Sequence, residues 1–177
     1  MERVLFVEEQ RFTQWWLWTI MILSLFAVVA PFGYGIYSQE VLNVPFGNNP
    51  TSTNSLIVTG ISVLVLVGLI FVIFVYMKLK TKITTEFVMV SFPPFIRKWK
   101  KISPNEIDRF EVRTYKAIYE YGGYGIKRGF KSGQSYTVSG NIGLQLYLKN
   151  GKKILIGTKK RQAIEYAMRK FSGTKNR

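Results

Sequence analysis

Hydrophobic and polar positions follow three different rules along this chain. From Trp15 to Tyr37 and again from Ser55 to Met77 the sequence runs without a single charged side chain. At about 1.5 Å per residue each run would form a helix of roughly 35 Å, longer than a hydrocarbon core of about 30 Å. Both are therefore expected to be transmembrane helices, because uncharged runs of this length are rare in soluble cores. The β-branched density of the second run is no obstacle in lipid, where the backbone must satisfy its own hydrogen bonds. Trp15, Trp16 and Trp18 suit an interfacial anchor at the start of the first span. Its n-region has three Glu against two Arg, which argues against a cleaved signal. Pro31, with Gly33 and Gly35, is expected to kink or fray the far end.

From Lys78 onward the apolar residues instead come in short alternating runs. "KITTEFVMVSF" and "FIRKWKKI", separated by Pro93-Pro94, read as two antiparallel strands. "SPNEI" has a capping serine, a proline at the first helical position and Glu106 in the capping-box place, so one helical turn is expected there. "DRFEVRTY" puts Phe110, Val112 and Thr114 on one face and Arg109, Glu111 and Arg113 on the other, as in a half-buried strand. "YKAIYEYGGYGI" and "SYTVS" read as further strands. "GLQLYLKNGKKILIG" carries Asn150-Gly151 between alternating runs, which predicts a hairpin with a type I′ turn. In the last segment Ile164, Ala167, Met168 and Phe171 fall at i, i+3, i+4 and i+7, the stripe of an amphipathic helix with Thr158 as its cap.

The expected organisation is thus an N-terminal segment 1–14, transmembrane helices 15–37 and 55–77, a loop 38–54 between them and a domain 78–177. That domain would hold about seven strands in a mainly β barrel or sandwich, with the C-terminal helix plugging one open end.

Charge changes the picture by fixing a direction. The chain has 25 Lys and Arg, 10 Asp and Glu, and a net charge of +15. All the Lys and Arg except Arg3 and Arg11 lie at or after Lys78, whereas the loop 38–54 has none. By the distribution of basic flanks the loop is expected outside and both termini in the cytoplasm, which makes this a multi-pass protein of the cell inner (plasma) membrane. A partner for the domain should be anionic.

The two-span start, "GGYGIKRG" followed by "YTVSGNIGLQLYL", and "NGKKILIGTKK" running into the final helix resemble the bacterial pleckstrin-homology-like domains attached to two transmembrane helices, a group of mostly uncharacterised membrane proteins. The resemblance covers nearly the whole chain. It implies a pleckstrin-homology-like fold and no particular reaction.

The glycine-rich stretch "YEYGGYGIKRG", Tyr119 to Gly129, invites a phosphate-loop reading, but the templates fail. No Gly-Lys-Ser or Gly-Lys-Thr occurs, and Arg128 stands where a dinucleotide fingerprint needs its third glycine. Glycines that interrupt a β pattern mark bulges and tight corners. The alternative is an anion site built on Lys127 and Arg128.

With no His and no Cys, the usual neutral-pH base, thiolate nucleophile and common zinc ligands are missing, and the single Asp in the chain, Asp108, has no paired acid. No enzyme, metal or cofactor is expected. Lys78, Lys80 and Lys82 at the membrane exit, "RKWKK" (Arg97, Lys98, Trp99, Lys100 and Lys101), and Lys127 with Arg128 are the candidate contacts to anionic lipid headgroups. Each cation near an anionic leaflet gains about 1 kcal/mol. Two spanning helices already tether the domain, so that attraction would set orientation rather than recruitment. The function expected is a basic binding or scaffolding domain facing the lipid bilayer, a membrane-protein partner or a second copy of itself. The alternative is a subunit of a membrane transport or assembly complex, although neither span holds the ionisable residue a substrate path normally shows. Membrane tethering argues against nucleic acid.

Overall fold

The computed structural model describes residues 2–173, which fall into two compact units, one of residues 2–12 and 76–173 and one of residues 13–75. The second unit is a helical hairpin: α1 spans Trp15–Glu40 and α2 spans Thr53–Tyr76. Both are long and apolar enough to cross a membrane, and only 11% of each apolar window is buried. In a soluble core these surfaces would be covered by protein. The helices run antiparallel, since Trp18 meets Phe71 with ring centroids 6.2 Å apart, while at the other end Gln39 and Thr53 hydrogen-bond at 3.1 Å. Small residues let the backbones approach. A Cβ on Gly60 would press on the Phe32 ring, and one on Gly35 would press on Phe46 and Leu56. Helix α1 continues through Pro31 to Glu40, so the expected fraying after Pro31 is not observed, and the connecting loop is correspondingly short.

The first unit holds nine strands in two sheets, more than the seven expected. The first sheet is ordered β1-β2-β3-β4, with β1 Val4–Arg11, β2 Lys78–Thr84, β3 Val88–Phe92 and β4 Ile96–Ile102. Every neighbouring pair in it is antiparallel. "KITTEFVMVSF" is therefore a hairpin rather than one strand. Thr84 turns the chain by accepting hydrogen bonds at Oγ1 from the Glu86 and Phe87 backbone N–H groups, a local bond that competes with the ladder.

The other sheet is ordered β5-β8-β9-β7-β6, with β5 Ile107–Thr114, β6 Gly125–Gly129, β7 Gly133–Thr137, β8 Ile142–Leu148 and β9 Lys153–Gly157. All its pairs are antiparallel except β7 with β9. "SPNEI" forms the expected turn, a 3-10 segment with the reciprocal Ser103–Glu106 capping box in place. Strand β5 alternates less cleanly than its sequence: Phe110 and Val112 are only half-buried, Thr114 is exposed and Arg113 is half-buried.

"YKAIYEY" is not a strand. It forms a short helix, α3, Ala117–Tyr121, started by the Glu120 carboxylate accepting from the Lys116 N–H at 2.7 Å and ended by Gly122 in the left-handed region at φ 74°. Only a residue without a Cβ takes that conformation cheaply. The β8–β9 hairpin forms where expected, but its turn is not type I′. Among the described residues Asn43 alone of the non-glycines has positive φ, so Asn150 does not, and the chain turns through Lys149, Asn150 and Gly151 with positive φ at Gly151 only. The Gly151 N–H donates to Leu148 O and the Leu148 N–H to Lys152 O, the pattern of a three-residue loop closed by a glycine bulge.

Helix α4, Arg161–Gly173, buries Ile164, Ala167, Met168 and Phe171, the four residues of its stripe. It packs on β1 and β2 of one sheet and on β5 and β8 of the other. With the inward residues Leu79, Ile83, Val88, Val90 and Phe92 of one sheet and Leu144, Leu146, Ile154 and Ile156 of the other, it makes the core. Thr158 lies three positions before the first helical residue, too early to be the N-cap. Its Oγ1 accepts from the Lys160 N–H at 3.0 Å and donates to the Glu8 carboxylate at 2.6 Å.

That carboxylate belongs to β1, the strand absent from the sequence reading. The exposed face of β1 carries Val7, Glu9 and Arg11, while Phe6, Glu8 and Gln10 point inward and are buried. Two polar residues at inward positions disguise the alternation. They are there because they bind backbone: Glu8 Oε1 accepts from the Lys159 N–H at 2.9 Å, and Gln10 Nε2 donates to Gly157 O at 2.9 Å. A buried polar side chain is tolerated when its partners are supplied.

Candidate functional site: a basic cleft at two strand edges

The membrane-exit lysines come first along the chain. Lys78, Lys80 and Lys82 alternate on β2 with buried Leu79, Thr81 and Ile83, so they share the outward face of the first sheet. Glu9 on the neighbouring strand partly neutralises them. Its carboxylate lies 3.3 Å from Lys78 Nζ, 3.8 Å from Lys80 Nζ and 3.1 Å from the Arg11 guanidinium. Partial burial works to raise the Glu9 carboxyl, but the hydrogen bonds from Arg11 and Lys78 and the nearby lysine charges outweigh it and hold the group below its ordinary value.

"RKWKK" falls on β4, an edge strand, and Arg97 to Lys101 are all exposed. Trp99 is not part of the core, at 40% exposure. Lys127 and Arg128 fall on β6, also an edge strand. The two edges meet at one feature. A cleft of about 590 Å³ is lined by Lys100 and Lys101 from β4, Arg128 from β6, Lys131 from the β6–β7 tip, Lys152 from the β8–β9 turn and Lys153 at the start of β9. Ladder register separates Arg128 from Lys127. Lys100 pairs with inward-facing Val90 and Arg128 with Gln134, whereas Lys127 pairs with Ser135 on the opposite face of its sheet. Lys100 Nζ reaches across to Gln134 Oε1 at 3.2 Å and Tyr136 OH at 3.3 Å.

The structure thus brings Lys100, Lys101 and Arg128 together, and leaves Lys78, Lys80, Lys82, Arg97, Lys98, Trp99 and Lys127 off the cleft lining. Lys131, Lys152 and Lys153 were not selected by sequence reasoning. The signal available was their position in or next to the turns of two hairpins, which short-range pattern alone cannot bring side by side.

None of the six cleft cations makes an ion pair among the described residues, whereas Arg11, Lys78, Lys80, Arg113 and Arg169 all do. The lining's single acid, Glu106, has its carboxylate engaged by the Ser103 N–H at 3.1 Å. Lys101 leans over the Phe87 ring, 5.1 Å from its centroid. Unneutralised cations on the walls of a cleft focus positive potential into it and favour an anionic occupant.

Two glycines on the cleft lining, Gly129 at the end of the glycine-rich stretch and Gly133 beyond it, flank the β6–β7 tip. A Cβ on Gly129 would collide with the Glu120 carbonyl oxygen, so β6 lies tight against α3. Gly133, at φ 81°, has the Lys153 carbonyl where a Cβ would go. Between these two fixed points the tip presents Phe130, fully exposed.

A second cluster lies on the other face of the sheet. Arg113 donates to Glu120 Oε2 at 2.6 Å and to Gln145 Oε1 at 3.0 Å, and the Tyr121 hydroxyl also donates to Gln145 Oε1. The Arg113 bond holds the Glu120 carboxyl below its ordinary value. Burial pushes the Tyr115 and Tyr121 hydroxyls up. These bonds join α3 to the sheet.

No protein-family model, curated protein or solved structure matches this chain.

Proposed function

We propose that this is a two-span protein of the bacterial inner membrane whose basic, pleckstrin-homology-like domain lies on the cytoplasmic side and binds anionic lipid headgroups. One observation carries the reading. Strand β1 precedes the first apolar helix, β2 follows the second, and they pair along their whole length, with Arg11 opposite Lys78. Any path between those residues that enters a bilayer must return to the side it left, so the two long helices cross as a pair or not at all. Their apolar surfaces, almost wholly uncovered by protein, favour crossing. Every Lys and Arg lies outside residues 13–75, on the side of that sheet, and basic flanks stay in the cytoplasm. The same asymmetry gives the domain an anionic leaflet as its nearest partner. The domain acts by binding rather than catalysis.

The chain has no cysteine, so single cysteines report topology directly. In intact cells a membrane-impermeant maleimide is expected to label Asn48→Cys, and to label Asn150→Cys only after permeabilisation. Labelling of both from outside, or release of the chain by alkaline carbonate, would overturn the topology. Hydrogen exchange of the full chain in nanodiscs tests the lipid part. Protection in the basic domain is expected to rise when zwitterionic lipid is replaced by anionic lipid, and an unchanged pattern would remove it.

A further inference from the structure

We infer that the cleft between the β4 and β6 edges seats a lipid phosphomonoester, and that Phe130 enters the acyl layer beside it. This deepens the reading above and rests on it. The occupant must match six cations held at one place with a single acid, Glu106, among them and no ion pair between them and it. A phosphomonoester carries a charge of about −1.5 to −2 and three acceptor oxygens, whereas the diester of an ordinary phospholipid carries one charge and leaves two free oxygens. Lys100 comes from one sheet and Arg128, Lys131, Lys152 and Lys153 from the other sheet and its turns, so both sheets contribute cations to the lining. Lys100 is held only by the neutral Gln134 and Tyr136 groups, and Lys153 Nζ by the Lys131 carbonyl at 3.4 Å, contacts that orient these cations without cancelling their charge.

Phe130 commits the occupant to a lipid rather than a soluble phosphate. It sits on the cleft lining between Arg128 and Lys131 and is fully exposed. A phenyl ring held in water at the tip of a hairpin stabilises nothing in the folded chain. The tip is nevertheless fixed on both sides by glycines whose neighbours leave no room for a Cβ. A hairpin tip that offers one aromatic ring beside cations fits an interface where the ring meets acyl chains as the cations meet phosphate.

The test uses the full chain in nanodiscs with a nitroxide on Phe130→Cys. In discs containing phosphatidic acid the label should become shielded from a water-soluble relaxing agent and accessible to oxygen. In phosphatidylcholine discs, and in phosphatidylglycerol discs matched for charge, it should stay in water. Adding Lys100→Gln and Lys152→Gln should weaken the phosphatidic-acid response at least tenfold while the melting curve of the domain stays in place. Equal insertion with phosphatidylglycerol would overturn the phosphomonoester and leave the general anionic-lipid reading standing. A label that stays in water in every disc would overturn both the ring and the cleft. Soluble glycerol phosphate that shifts the cleft lysine resonances in phosphatidylcholine discs, as phosphatidic acid does without insertion of the label, would overturn the lipid half in favour of a soluble phosphomonoester.

Discussion

Replacing Glu8 by alanine removes a carboxylate that ties the first strand of the chain to the start of its last helix. Glu8 is 6% exposed, accepts from Thr158 Oγ1 at 2.6 Å and from the Lys159 N–H at 2.9 Å, and has no cation partner among the described residues. A hydrogen bond to a charged acceptor contributes about 1.5–3 kcal/mol, and truncation also leaves the donors without partners in a buried place. A loss of about 3 kcal/mol is expected, which for a domain of this size lowers Tm by roughly 10 °C. Glu8→Gln should cost about 1 kcal/mol, because its amide oxygen can still accept from Lys159 N–H and its NH₂ can donate to Thr158 Oγ1 without the charge. Glu9→Ala is the control. Its carboxylate has three cations within 4 Å but is 38% exposed, so the loss should be about 0.5 kcal/mol despite the larger number of ion pairs. Far-UV circular dichroism melts of the full chain in micelles, with hydrogen exchange at the Lys159 and Lys160 amides, measure all three. The reasoning is refuted if Glu9→Ala costs as much as Glu8→Ala, or if Glu8→Ala leaves exchange at those amides unchanged.

Three other perturbations test separate parts of the fold. Gly133 and Gly140 have nearly the same φ, 81° and 79°, but only Gly133 has backbone where a Cβ would go. Alanine at either costs about 1–2 kcal/mol for the left-handed backbone, and Gly133→Ala should cost about 2 kcal/mol more by melting, since the Lys153 carbonyl must move. The depressed Glu120 carboxyl contributes stability that is present above its ordinary value of 4.5 and is lost as pH falls through its folded value. Melts taken downward from pH 6 should therefore show a loss of about 1 kcal/mol below pH 4.5 that Glu120→Gln abolishes. In the helical hairpin, Gly60→Ile should loosen the packing of α1 on α2, because a Cβ there meets the Phe32 ring, whereas Gly68→Ile, with open space around it, should not. Disulfide trapping between cysteines placed at Trp18 and Phe71 would report the difference.

The elements legible in the sequence were those whose pattern is set by burial against apolar neighbours. The two long helices, the α4 stripe and the β8–β9 hairpin all fall in this group. The elements that were not legible depend on partners distant in the chain. Strand β1 hides because Glu8 and Gln10 occupy inward positions, and their reason for being there lies some 150 residues away at Gly157–Lys159. Helix α3 reads as a strand from Ile118, Tyr119 and Tyr121, but five residues are too few for periodicity to speak, and a Glu120 bond at one end with Gly122 at the other decides it. Within the cleft, Lys100, Lys101 and Arg128 were marked as basic residues beside aromatic or glycine residues. Nothing in the local pattern showed that the β4 and β6 edges converge, or that the turns carrying Lys131 and Lys152 complete the lining.

The cations of this protein differ in their surroundings. On β1 and β2 Arg11, Lys78 and Lys80 share Glu9, and on β5 Arg113 is matched by Glu120, so these lysines and arginines are partly neutralised parts of the scaffold. At the β4 and β6 edges the cations make no ion pair among the described residues, which costs the folded chain self-repulsion that an anion would relieve. A strand edge is also where unpaired backbone invites association with another sheet, and lysine on such an edge discourages it. That protective role explains cations on β4 taken alone. It does not explain the cations of the β6–β7 tip and the β8–β9 turn, which are not strand edges in need of protection and which line the same cleft as Lys100. Cations drawn from separate segments onto one cleft are the feature on which the proposed anion site rests.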